Sequence, residues 1–262
     1  MSPEVLRLDL VARRRSTIGY AVGMALYAFV IVAIYPSFKH STGLDNFTKD
    51  SPTMAALFGA IGSLTSPSGW LNVNLYANVF PLIVLMATIG YGASCLAGQD
   101  EEGTLALVVT LPVGRRRITL EKVTAMIVQA TVIVAVVTAV VALGHAFDIT
   151  VGTANLVGTS LGVLLLGLDL GLVALVAGAA TGSRGFSLGV ASAAGALSYL
   201  VSSLAPVVAW VRPARFASLF YWSVGNNQLT SGLNLGDAVV LMGTGLALAS
   251  YAALSFDRLD LH

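Results

Sequence analysis

The sequence predicts an all-α polytopic membrane protein with six transmembrane helices. Three observations predict it. Of the 262 residues, 56% are hydrophobic and only 10% are charged, where a soluble domain carries about 25% charge. Several apolar stretches reach the roughly 20 residues that cross a bilayer as a helix. Those stretches are long and continuous, whereas a membrane β-barrel shows short alternating segments. The net charge of +1 offers no basic face to nucleic acid. The single cysteine, Cys95, excludes an internal disulfide and reads as a small packing residue. Three histidines lie far apart, so no metal cluster is expected. The chain, 1–262, reads as one transmembrane domain.

Residues 1–16 hold Glu4, Arg7, Asp9 and the run Arg13-Arg14-Arg15, and their apolar positions form no clean helical stripe. The apolar run that follows is longer than a signal-peptide core. Ile34-Tyr35-Pro36-Ser37 is also a poor cleavage site, so the run stays as span one, 17–35. A polar loop with Lys39, Asp45, Lys49 and Asp50 follows. Within it Met54, Leu57, Phe58, Ile61 and Leu64 recur at helical spacing over a length too short to cross, which predicts a helix lying along the surface. Trp70 suits an interface anchor. Span two covers 74–97, with Pro81 as a kink point. Span three covers 118–143. A short loop with His145 and Asp148 leads to span four, 156–181.

Span four is dense in glycine. Gly158/Gly162, Gly167/Gly171 and Gly178/Gly182 are each four apart. That spacing lets helix backbones approach closely, either inside one subunit or between subunits. Arg184 marks a tight return into span five, 186–210, with Pro206 near its end. Residues 211–236 are less apolar and carry Phe220-Tyr221-Trp222 and Asn226-Asn227-Gln228, which reads as an extracytoplasmic interface loop. Span six covers 238–256.

The most informative stretch, 98–117, lies between spans two and three. Asp100, Glu101 and Glu102 come first, then a mostly apolar run, then Pro112, Gly114 and Arg115-Arg116-Arg117. Charge at both ends keeps such an element out of lipid, where it is free to meet a soluble partner. The acids suit the first turn of a short helix, with Asp100 as its N-cap. Leu105, Val108 and Val109 give that helix an apolar side, and Pro112 stops it.

The order Glu101, Gly103, Thr104, Leu105, apolar run, Pro112, Val113, Arg115 or Arg116, Ile118, Lys122 resembles the coupling segment of ATP-binding-cassette type-2 exporter permeases. The run is richer in valine than is usual there. Residues 211–236, with Leu229, Gly232 and Leu233, and the end Phe256-Asp257-Arg258-Leu259-Asp260 also resemble that family in layout. The resemblance implies an interfacial helix at the N-terminus and a short cytoplasmic coupling helix between spans two and three. It implies that this helix enters a cleft on a separate cytoplasmic ATPase, present in two copies, which binds ATP and Mg2+. The ATPase-coupling residues are then Glu101, Glu102, Gly103, Thr104, Leu105, Val108, Pro112, Arg115 and Arg116. Six spans are half of the usual transporter, so a second permease copy or a relative is expected, by default as a closed pair.

Charge counting orients the chain. With the N-terminus inside, Lys39, Lys49, Arg212 and Arg215 fall outside and the other ten of the fourteen lysines and arginines fall inside. Both termini and the 98–117 segment are thereby expected in the cytoplasm, beneath a plasma membrane. The Ala-, Gly- and Val-rich usage points to a bacterial source.

Three features bear on chemistry. Asp169 sits near the middle of span four, where a carboxylate is costly. It either lines a translocation path or packs beside the Gly167/Gly171 notch. Gly158-Thr159-Ser160-Leu161-Gly162 matches a nucleophile-elbow pattern, with His145 the histidine nearest to it, but no strand–turn–helix setting surrounds it. No Gly-x-x-x-x-Gly-Lys-Ser/Thr loop occurs, so the chain binds no ATP by that route. The expected function is the permease subunit of an ATP-driven exporter of a lipophilic substrate, itself not an enzyme. The alternatives are an ion-coupled secondary transporter using Asp169 and an intramembrane serine hydrolase using Ser160.

Overall fold

The computed structural model describes residues 4–40, 63–103 and 114–256. Among them no strand occurs, and six helices are long and apolar enough to cross a membrane. The six predicted spans are all present. Their ends differ from the sequence expectation in ways that have local causes.

Span one is a single helix, Glu4–Phe38, with no break at the arginine run. At 1.5 Å per residue its 35 residues extend about 52 Å, well beyond the ~30 Å hydrocarbon layer. The N-terminal segment is therefore a continuation of the span and not a separate interfacial helix. One narrow stripe, Ala21, Met24, Ala28, Val32 and Tyr35, is buried against the bundle, mainly on span three. Leu26, Phe29 and Ile34 point outward; a helix apolar on every side belongs in lipid.

Span two begins earlier than the sequence reading placed it, at Pro67, because Ser66 caps it: its Oγ accepts from the Gly69 amide at 3.1 Å. It is a composite of Pro67–Leu71, a π-turn at Asn72–Tyr76, the helix Val79–Ala93, a second π-turn at Ser94–Gly98 and a final turn Gln99–Glu101. The break falls at Asn78 (φ −129°, ψ −80°), and Pro81 sits just after it in the first turn, where a missing N–H costs nothing. Trp70 is buried: its Nε1 donates to the Ile31 carbonyl at 2.9 Å, and its ring stacks on Phe38.

Span three, Arg115–Ala142, continues into a 3-10 turn, Leu143–Phe147, closed by Asp148 at φ 64°. Asp148 pairs with Lys39 at 2.9 Å and ties the end of span one to this loop. Span four, Thr153–Thr181, is the axis of the fold and touches spans two, three, five and six. Its glycines settle one open alternative: they pack within this chain. A Cβ at Gly167 would meet Val84 Cγ1 at 2.5 Å, and one at Gly171 would meet Met126 Sδ at 2.7 Å. Span five, Arg184–Leu204, stops short of the expected 210: Ala205 still has helical geometry (φ −55°, ψ −34°), but Pro206 has no N–H to extend the ladder and the chain passes into turns. Residues 211–236 fold as short turns of 3-10, π and α helix. They are not simply an exposed loop: Phe220, Ser223, Val224, Gln228 and Leu229 are buried. Span six is Leu235–Phe256. Of the surface-lying helix expected around 54–64, all but Ser63 and Leu64 lies outside the described residues, and so does the end 257–262.

Candidate functional site: the roots of the 103–114 segment

The segment resembling a coupling helix leaves span two after Glu102 and joins span three at Gly114. Thr104, Leu105, Val108 and Pro112, and the side chain of Arg115, lie outside the described residues. Its two roots are described, and they correct one expectation. Asp100 is not an N-cap. Gly98 keeps αR geometry (φ −65°, ψ −38°), so span two runs through it and carries Asp100 and Glu101 in its last turn. Gly103 then takes φ 69°, a conformation suited to glycine, and ends the helix.

Acids at a helix C-terminus oppose the macrodipole. The fold offsets this by lending Glu101 to another helix: its Oε1 accepts from the Arg184 amide at 2.9 Å, the first residue of span five. A carboxylate at a helix N-terminus is stabilising. Glu102 is exposed beside it, and so is Arg116 across the gap.

Behind these roots lies a buried polar cluster that joins spans one, two and three. Lys122, with no exposed surface, donates from Nζ to Gln99 Oε1 at 2.9 Å and faces Asp9 Oδ2 at 3.4 Å. Tyr91 donates its hydroxyl to the same Asp9 oxygen at 2.6 Å. Arg13 lies over the Tyr91 ring, 4.8 Å from its centroid, and donates to Ser94 Oγ. Glu121 completes the join. Its Oε2 accepts from the Val5 and Leu6 amides at 3.1 and 3.2 Å, capping span one, while its Oε1 pairs with Arg117 at 2.9 Å. Both roots of the segment are thus locked to span one by charge-assisted bonds in a water-poor setting.

Sequence reasoning placed Lys122 in the motif but missed this cluster. A signal was present: Lys122 stands inside the apolar run of span three, and an ionisable residue there needs a partner. The partner, Asp9, is 113 residues away.

Asp169 is 1% exposed, and its Oδ2 has no hydrogen-bond partner. It faces span six, where a Cβ at Gly245 would meet Oδ1 at 2.8 Å. The structure does not bring it near the 103–114 roots. Ser160 is buried in the middle of a helix and hydrogen-bonds the Tyr76 hydroxyl at 2.9 Å, whereas His145 is exposed on the turn after span three. Among the described residues neither the elbow nor a base aimed at Ser160 is formed, so the hydrolase alternative lacks its geometry there.

Comparison with curated proteins gives no match. The family model described as ABC-2 family transporter protein matches residues 4–257, covering all six spans and both roots. The chain belongs to that family and is the membrane-spanning permease component of an ABC transporter.

Proposed function

We propose that this chain is the permease subunit of an ATP-driven exporter, working as one of two permease copies on two cytoplasmic ATPase subunits. The observation that carries this reading is the three-helix lock behind residues 103–114. A force delivered to an isolated loop dissipates in the loop. A force delivered to a segment whose roots are fixed through Lys122, Gln99 and Asp9 moves spans one, two and three as a body. Closure of the ATPase pair would press on the segment, and the spans would tilt to open a path on the far side. Glu102 and Arg116 stand exposed at the two roots, where the ATPase would meet them.

A groove between spans two and five supports a lipophilic cargo. It measures about 650 Å3 and is lined mainly by apolar chains, Leu82, Leu85, Ile89 and Leu188 among them. One polar contact crosses it, from the Tyr199 hydroxyl to Asn78 Oδ1 at 2.7 Å. The test is Glu102→Arg in a vesicle assay with the partner ATPase. Folding should be intact while ATP hydrolysis no longer drives export; unchanged export removes Glu102 from the coupling role.

Asp169 favours a second reading. A buried carboxylate oxygen without a partner suits an ion-coupled transporter. Export that follows a proton gradient without any ATPase, and stops in Asp169→Asn, would select it.

A further inference from the structure

A second, polar cavity of about 210 Å3 opens where spans one, two and three meet the start of span five. Its volume is several times the ~30 Å3 share of one water. Arg13, Thr17, Ser94, Gln129 and Arg184 line it, and among the described residues no carboxylate does. Asp9 is engaged with Tyr91 and Lys122 and Glu101 with the Arg184 amide, while Asp100, whose Oδ2 stands 3.4 Å from where a Cβ at Gly182 would lie, is not among the lining residues. Gln129 is 8% exposed, and its Nε2 is buried with no hydrogen-bond partner. A buried donor without an acceptor is costly, so its amide is waiting for one. Arg13 spends part of its guanidinium on Ser94 and the Tyr91 ring, out of five N–H donors. Among the described residues the cavity wall therefore carries two cations and an unmet donor and no carboxylate.

The cavity does not end in polar surface. Met86 and Gly90 line both it and the apolar groove between spans two and five. A cationic cradle thus continues directly into a channel for hydrocarbon. That sequence of surfaces matches an anionic amphiphile and fits neither a free ion nor an uncharged oil. We propose that the cradle of Arg13, Ser94, Gln129 and Arg184 binds the phosphate headgroup of an acidic phospholipid, with an acyl chain lying along span two in the groove. Basic pockets between membrane helices hold such headgroups by the same chemistry. The proposal rests on the lipophilic reading of the groove and not on the ATPase partner, so loss of one leaves the other standing.

The test is lipid retention by the full chain, purified in detergent and read by native mass spectrometry. Equal amounts of dimyristoyl phosphatidylglycerol and dimyristoyl phosphatidylcholine are offered, then inorganic phosphate is added at millimolar concentration. Wild type should retain phosphatidylglycerol with a preference of roughly tenfold, from two arginines at a headgroup. The variant Arg13→Gln/Arg184→Gln should fall to parity, and phosphate should not displace the lipid. Should that variant fail to stay monodisperse, Gln129→Leu/Arg184→Gln, with the Arg13–Ser94 contact intact, should lower the preference to roughly threefold, since one arginine remains at the headgroup. Equal retention of the two lipids by wild type, or an unchanged preference in a folded variant, overturns the proposal. Displacement by phosphate assigns the cradle to a free anion and overturns it as well.

Discussion

Lys122 and Asp9 face each other at 3.4 Å across 113 residues of chain, the lysine fully buried and the aspartate nearly so. Their contact joins the start of span three to the N-terminal turns of span one. Gln99 on the same ammonium adds the end of span two. An ion pair this dry contributes little net stability over an apolar pair of the same shape, but losing one partner leaves a buried charge.

That asymmetry gives the first prediction. Lys122→Met alone should destabilise the purified chain by roughly 3 kcal/mol or more. Asp9→Asn/Lys122→Met should recover much of that loss. Thermal unfolding in detergent, read as a double-mutant cycle, checks it; additive losses would show that the pair is not coupled.

Glu101 and Glu102 are neighbours with separate roles. Glu101→Gln removes the charge on the first turn of span five and should cost about 1 kcal/mol. Glu102→Arg is exposed and should leave the unfolding midpoint unmoved while abolishing coupling to hydrolysis. A midpoint that falls for Glu102→Arg and not for Glu101→Gln would reverse the assignment.

Gly167→Val forces a side chain onto Val84, and overpacking of this kind costs about 1–3 kcal/mol. Gly243→Val, on span six with nothing within 4 Å, should be close to neutral. Equal effects at the two positions would contradict the packing of span four on span two.

Ser160→Ala should lower stability by about 1 kcal/mol through loss of the Tyr76 hydrogen bond and leave transport in place. A fluorophosphonate probe should not label the wild-type chain. Covalent labelling at Ser160 would revive the hydrolase alternative.

The six spans were legible because lipid imposes a simple rule, a long apolar run per crossing, and Val- and Leu-rich stretches obey it directly. Ends were less legible. Gly98 looked like a break, and the acids after it like a new helix start, yet the helix passes through Gly98 and stops at Gly103, where φ is positive. The start of span two, expected at 74, lies at Pro67, where Ser66 caps the first turn. The lock behind the 103–114 segment was illegible for a different reason. Asp9, Tyr91, Gln99 and Lys122 come from three spans, and only tertiary packing brings them together. The polar cavity is hidden in the same way, since Arg13 and Arg184 read singly as a flanking charge and a turn marker, and Gln129 within span three draws no notice by itself.

The most direct measurement is purification of the tagged chain from its native cell in mild detergent, with partners identified by mass. An ATPase carrying a glycine-rich phosphate loop should be recovered with wild type and lost with Glu102→Arg/Arg116→Glu, while the lipid retention described above persists. Recovery of the chain alone, even after crosslinking, would contradict the coupling role of residues 103–114 and transfer the function to the ion-coupled reading of Asp169.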